Sequence, residues 1–260
     1  MKTGFRVFVV AFVALGLSWC GLVLAPVQQL GTQGQTNILN SSEVYPNQRP
    51  GDATLGLQVY RANGCAACHT TQVGQDGVVC DVVLSGKNPA AVSNLIASLN
   101  VTGLNEAEAD AVSTKIKAAG GKTETRIIPT GADISRGWGS RHSVAEDFLW
   151  DYPVQIGGVR VGPDLANVGL RYDATSLYLH LYDPKSNGSA SVMPPFRYLF
   201  LTQKIGDAPS PDAVPLKDGN ELIPTEDAKN LVAYLLSLRA NVPLHDAPFS
   251  TAAPAPETKK

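Results

Sequence analysis

Two thiols and an imidazole fall within five residues, Cys65-Ala66-Ala67-Cys68-His69. C-x-x-C-H is the attachment pattern for a c-type haem: each thiol adds to a haem vinyl group, and the histidine that follows supplies an axial ligand to the iron. Two intervening residues let the sulfurs reach opposite edges of one porphyrin while the next side chain turns under the metal. A redox dithiol would want a βαβ setting, and a Cys/His zinc site would want a second ligand pair. Neither a second C-x-x-C nor an H-x-x-x-H occurs in the chain. One covalently bound haem c is therefore the expected cofactor, on Cys65, Cys68 and His69.

His69 fills one axial position, and the other needs a second donor. Apart from Met1 the sequence has one methionine, Met193, within Ser191-Val192-Met193-Pro194-Pro195-Phe196. The diproline stiffens that loop and can hold a thioether toward a metal at little entropic cost. A soft thioether favours ferrous iron and raises the reduction potential relative to two histidines. His180, on an apolar stretch, is the competing ligand, although a buried histidine is more often a core residue. His142 and His245 read as ordinary polar residues.

Gly162-Pro163-Asp164-Leu165 resembles the G-P-x-L segment of c-type cytochromes. The resemblance implies that the Pro163 carbonyl accepts a hydrogen bond from His69 and that Leu165 packs on the haem. Holding the imidazole N–H fixes the ring and raises its donor strength. Arg160 and Arg171 flank the segment and are candidates for the haem propionates, which need cationic donors when partly buried.

Several elements must bring these residues together. From Asp52, the apolar positions Leu55, Val59 and Ala62 recur at helical spacing until Gly64, so a helix delivers Cys65. Thr225 caps a second helix with Ala228, Leu231, Val232, Leu235 and Leu238 on its buried stripe. Crossed helices of this kind frame small c-type cytochromes, with Tyr60 and Tyr234 as candidate aromatics at the crossing. The cytochrome domain is expected over 51–75 and 136–245. Between them, 76–135 reads as a small β-α-α-β insert. Val78 to Leu84 is strand-like, a helix begins at Asn88-Pro89 with Asn88 as cap, a second helix begins at Asn105, and Lys122 to Ile128 alternates. It holds neither His nor Met, and its expected role is structural or docking.

At the N-terminus, Val7 to Ala25 runs without a charge for about the length that spans a bilayer. Lys2 and Arg6 precede it, so by the positive-inside rule the rest of the chain lies outside, where bacteria attach c-type haem. Leu24-Ala25-Pro26 is a poor signal-peptidase site, and Trp19 before Cys20 is a poor lipoprotein signal, so 1–25 is expected to remain as a single-pass anchor in the inner membrane, with the soluble domain periplasmic. Residues 26–50 read as an extended linker, and 246–260, ending in TAAPAPETKK, as a disordered tail. The 260 residues are 44% hydrophobic and carry a net charge of -2, which leaves no basic field for nucleic acid. The expected fold is mainly α: a transmembrane helix plus a cytochrome c-type haem domain carrying the insert.

The motifs have an order: the anchor, Gly64 to Val73, Arg136-Gly137-Trp138-Gly139-Ser140-Arg141-His142, Asp151-Tyr152-Pro153, Arg160 to Ala166 and Met193-Pro194-Pro195. In this order they resemble the membrane-anchored monohaem subunit, subunit II, of cbb3-type cytochrome c oxidases, in its R-G-W-G variant. Two features depart from that family: Gly74 replaces a common arginine, and the insert is longer than the usual connection. The resemblance implies an electron-transfer subunit that does no bond chemistry of its own. It would take electrons from a cytochrome c donor and pass them to the haem-copper catalytic subunit, beside other oxidase subunits. The monohaem subunit of a nitric oxide reductase shares the anchor-plus-haem plan, and a haem sensor or assembly protein is a third reading.

Overall fold

The computed structural model describes residues 2–249 apart from 32–33, 87, 187–189, 207 and 217. The chain opens on α1 (Lys2–Trp19), passes through one π-helical turn at Cys20–Leu24, and continues as α2 (Ala25–Leu30). The apolar run Thr3–Gln29 is long enough to cross a membrane. The helix therefore extends past Ala25, where the anchor was expected to end. Pro26 cannot donate to the turn behind it, and the π turn, closed by Ala25 N to Cys20 O, re-pairs the backbone just before that gap.

Residues 36–50 are not a free extended linker. A two-strand ribbon, β1 (Thr36–Asn37) and β2 (Val44–Tyr45), folds onto the following domain. Tyr45 donates to Asp147 at 2.8 Å, the Trp150 indole donates to the Pro46 carbonyl at 3.0 Å, and Arg49 pairs with Asp151. The anchoring groups lie about a hundred residues downstream, so no local pattern announces them.

α3 (Gly51–Ala62) leads to the C-x-x-C-H motif, whose Cys65–Ala67 form a 3₁₀ turn after Gly64 in the left-handed region. The insert follows as β3 (Gly77–Leu84), α4 (Ala90–Ala97), α5 (Glu106–Ala118) and β4 (Thr123–Thr130), with the two strands antiparallel from Gly77↔Thr130 to Leu84↔Thr123. It has its own core of Cys80, Val82, Val92, Leu104, Ala109 and Ile116. Asn105 and Glu108 form the capping box of α5. Asn88 does not cap α4, contrary to expectation. Its amide donates to Ser85 and Gly86 carbonyls and its oxygen accepts from Lys122 N at 2.7 Å, so it closes the end of the hairpin while Pro89 flanks the helix.

After the insert come α6 (Ala132–Ser135), α7 (Val168–Arg171) and α8 (Ala174–Tyr182), the last capped by Asp173 accepting from Ser176 N at 2.7 Å. A sheet absent from the sequence reading follows: β5 (Phe200–Lys204), β6 (Val214–Pro215) and β7 (Asn220–Pro224), in the order β5-β7-β6. Asp218-Gly219 between apolar pieces was its one local signal, with Gly219 at φ +80°. α9 (Glu226–Ser237) closes the domain, and Thr225 Oγ1 accepts from Ala228 N at 3.3 Å.

α3 and α9 cross closely because Gly56 has no side chain: a Cβ there would stand 1.9 Å from the Asn230 carbonyl oxygen. Tyr60 and Tyr234 meet at the crossing with ring centroids 5.2 Å apart. Both are buried in one core with Leu57, Leu231, Leu235 and Leu222. Of the expected tail, Ala247 is buried and bonded to Leu244, and 250–260 lie outside the described residues.

Candidate functional site

The motif turn is set by its own backbone: Cys68 N and His69 N both donate to Cys65 O, at 3.1 and 3.0 Å. Cys65 lies half-buried against the main core and Cys68 is exposed. Burial pushes the Cys65 thiol up to about 11, with a smaller contribution from Cys68. Burial likewise raises Tyr234, to about 12, and Tyr60 further, and the Cys65 thiol adds to both shifts. The aromatic crossing thus borders the first attachment cysteine.

The 161–165 segment is laid against the motif by main-chain bonds. Val161 N and Gly162 N donate to Cys68 O, each at 2.9 Å, and Leu165 N donates to Thr70 O at 2.8 Å. His69 Nδ1 lies 2.8 Å from the Pro163 carbonyl oxygen, which makes Nδ1 the protonated nitrogen and leaves Nε2 free to ligate. Two glycines permit this approach. A Cβ at Gly162 would fall 2.2 Å from His69 Cε1, and one at Gly157, whose φ is +79°, would fall 2.2 Å from His69 O. In the sequence Gly162 stands out only as part of the G-P-x-L segment, and nothing local marks Gly157.

Leu165 and Met193 are half-buried and, like Cys65 and Ala66, pack against the main core. His180, on α8, is half-buried; burial first and the nearby His69 second hold its imidazole below the ordinary value. Its burial thus favours the neutral imidazole. His142 Nδ1 lies 3.0 Å from Gln75 Oε1, and His245 is exposed.

The two candidate propionate arginines differ. Arg171 donates through Nη2 to the Asp164 carbonyl, while its Nε is buried without a partner. Burial lowers its pKa, and Tyr172 and Asp164 oppose the shift, so a guanidinium with a spare donor lies next to the Asp164-Leu165 turn. Arg160 is engaged at every nitrogen: Nε to Thr70 Oγ1 at 2.9 Å, Nη1 to Asp133 at 2.8 and 2.9 Å, and Nη2 to Gln72 O at 2.7 Å. Asp133 and Asp164, both buried, carried no role in the sequence reading.

The R-G-W-G-S-R segment also finds its purpose here. Trp138 carries the guanidinium groups of Arg136 and Arg160 against its ring, at 5.0 and 5.4 Å. Gly139 leaves room for Asn167 and Val73, which a Cβ would approach to 2.9 Å. Arg141 is fully buried, holding Asp147 through both terminal nitrogens at 3.1 and 2.6 Å and the Val242 carbonyl through Nε at 2.6 Å. Separately, an open groove of about 750 Å³ on the outer side of α3 is lined by Gln58, Arg61, Trp150, Tyr152 and Gln155 among others, and none of the predicted haem residues.

Residues 125–214 match the family described as cytochrome c oxidase, mono-haem subunit/FixO. This supports identification as a cbb3-type subunit II. The matched segment holds Arg160, Pro163, Leu165, Arg171 and Met193 and ends short of Cys65, Cys68 and His69, which the FixO-type segment meets through the bonds above. No curated protein matches the chain significantly. The match to a mono-haem oxidase-subunit family supports a haem cofactor, an electron-transport role and association with an oxidase complex. The N-terminal apolar helix fits a single-pass anchor.

The residues suit such a group. A free Nε2 on a ring held from behind, an unpartnered buried Arg171 Nε, and a half-buried apolar face carrying Leu165 and Met193 are what a haem iron, a propionate and a porphyrin ring require.

Proposed function

We propose that this chain is the electron-transfer monohaem c subunit of a cbb3-type terminal oxidase, relaying electrons from a cytochrome c donor to the haem-copper catalytic subunit, where oxygen is reduced. The observation that carries the reading is the 2.8 Å contact between His69 Nδ1 and the Pro163 carbonyl, which joins the C-x-x-C-H motif to the FixO-type segment.

Haem c, when bound, supplies one-electron chemistry between ferric and ferrous iron. The chain's own residues set how it is held. Cys65 and Cys68 are the thiols for covalent attachment. His69 presents Nε2 with its orientation locked by Pro163, which keeps the imidazole a strong donor in both oxidation states. Met193 is the thioether for the opposite face, with its loop stiffened by Pro194 and Pro195. Arg171 Nε neutralises a propionate, and Leu165 excludes water from the ring face. With His69 and Met193 both holding the iron, the haem would have no open position for oxygen, which suits transfer over catalysis. The lysine and arginine before the apolar helix favour a periplasmic domain on an inner-membrane anchor.

The test is purification of the complex in mild detergent with a metal count and spectroscopy of the isolated subunit. The expected result is a low-spin ferrous spectrum unchanged by carbon monoxide, in a complex containing copper beside high-spin haem. Non-haem iron in place of copper would assign the chain to a nitric oxide reductase. Rapid carbon monoxide binding would remove Met193 as ligand and turn attention to His180, which stands near His69. An oxidase that consumes oxygen normally with Met193→His would favour a sensor or assembly role.

A further inference from the structure

Arg160 was expected at a propionate, yet its guanidinium is spent on protein. Its partners form a pattern. Thr70 and Gln72, the residues that leave the haem motif, are held from two sides. Arg160 donates to Thr70 Oγ1 at 2.9 Å and Gln72 O at 2.7 Å. Asp164, which is fully buried, accepts from Thr70 Oγ1 at 2.6 Å, from Gln72 N at 2.8 Å, and from Ala166 N at 2.8 Å. The Thr70 hydroxyl donates to the carboxylate and accepts from the guanidinium, so neither contact competes with the other. Arg160 Nη2 and Asp164 Oδ2 also lie 3.6 Å apart.

Asp133 orients the arginine. It lies on α6, directly after the insert's last strand, and is buried. Its carboxylate takes both bonds from Arg160 Nη1 and a further one from Gly74 N at 2.8 Å. Trp138 backs the guanidinium from one face. Arg136, 3.8 Å from Asp133, adds a second cation. Removing Arg160 would leave two buried carboxylates short of positive charge, a large penalty in a low-dielectric setting. The insert thus stands with its foot on the segment that leaves His69.

We infer that Arg160 is a positioning residue: clamped by Asp133, it pins Thr70 and Gln72 against Asp164, and so holds His69 and Pro163 in register and ties the foot of the insert to the axial ligand. This rests on His69 being the proximal ligand. The fork geometry is essential, because a lysine keeps the charge but cannot reach Asp133, Thr70 and Gln72 together.

The test uses the full-length haem-loaded chain in detergent, reduced and labelled with ¹⁵N-histidine, to follow solvent exchange of the His69 Nδ1 proton together with the midpoint potential. Wild type comes first: absence of covalent haem there would overturn the functional reading and this inference with it, whereas a loaded parent whose variants do not differ from it would overturn this inference alone. Arg160→Lys, Arg160→Met and Asp133→Asn are each expected to speed exchange about tenfold, the loss of roughly one hydrogen bond's worth of protection. The double variant Arg160→Met with Asp133→Asn should exchange no faster than Arg160→Met alone, since both act through one clamp. Arg160→Lys should also raise the midpoint potential, because a loosened imidazole is a weaker donor and the charge is unchanged. Parental exchange and potential in Arg160→Lys, or additive effects in the double variant, would overturn the inference. If Asp133→Asn does not fold, Arg160→Lys decides alone.

Discussion

His69 Nδ1 lies 2.8 Å from the carbonyl oxygen of Pro163, ninety-four residues away in sequence. The contact exists because Gly162 presents no side chain to the ring, a Cβ there lying 2.2 Å from His69 Cε1. Gly162→Ala should therefore push the imidazole off its carbonyl. The expected result is loss of most of the low-spin ferrous spectrum at unchanged secondary structure, read by absorption and circular dichroism. Gly158→Ala is the control, since a Cβ at Gly158 meets nothing within 4 Å. Equal spectra in the two variants would refute the close-packing account.

The crossing of α3 and α9 makes a second prediction. Gly56→Ala places a methyl 1.9 Å from a helix carbonyl that cannot swing away, so the helices must part. Overpacking of this kind costs about 3 kcal/mol, and denaturant unfolding should show it. A cost under about 1 kcal/mol would mean that the crossing is looser than described.

Arg141 is the third. Replacing it with methionine strands Asp147 in the interior, a loss of about 3–5 kcal/mol for a buried pair. Tyr45 hydrogen-bonds the same carboxylate, so residues 36–50 should become sensitive to limited proteolysis in the variant. Resistance equal to wild type would show that Trp150 and Asp151 hold the ribbon unaided.

A pH dependence follows from Glu221, which is buried and accepts from Ser210 Oγ at 2.5 Å, Gln203 Nε2 at 2.7 Å and Ser210 N at 2.8 Å. The Ser210 hydroxyl first, and Gln203 next, hold its carboxyl below the usual 4.5. The unfolded chain then binds the proton more readily than the folded one as pH falls through that value, so the stabilisation is present above pH 4.5 and lost below it. Thermal melts should lose stability more steeply into acid in wild type than in Glu221→Gln; parallel acid limbs would contradict the assignment.

The two attachment thiols should also differ before haem is added. Cys65 is half-buried with its thiol raised to about 11, and Cys68 is exposed, so iodoacetamide at neutral pH should label Cys68 well ahead of Cys65 in the haem-free protein. Peptide mass spectrometry gives the ratio, and equal labelling would mean that the 3₁₀ turn opens.

Much of this was readable in the residues. α3 lies where expected, but its buried face is Ala53, Gly56, Leu57 and Tyr60, while Leu55 and Ala62 of the expected stripe are exposed, because the tight crossing at Gly56 and not the largest side chains sets which face turns inward. The α9 stripe, the Asn105 cap, the strand-like run of β3 and the alternation of β4 are local patterns, and local patterns are what periodicity reports. Arg160 and the 36–50 ribbon differ from expectation for the opposite reason. An arginine near a haem motif looks like a propionate donor until Asp133, twenty-seven residues earlier, is seen to claim it. Tyr45 and Asp147 are 102 residues apart, and a proline- and asparagine-containing stretch has no stripe to reveal that it is bound. The β5-β7-β6 sheet fell between, since strands as short as Val214–Pro215 hold too few residues to show alternation.

The docking of 36–50 changes what the N-terminal helix can be for. α2 ends at Leu30, and by Gln35 the chain is already bonded to the Pro46 carbonyl. Four residues separate the two, and four residues reach at most about 14 Å. With α1 and α2 in a bilayer, that leash would keep the domain close to the membrane surface. Under the proposed function the domain would then stand as a fixed post, and an electron donor arriving by diffusion would have to come to it.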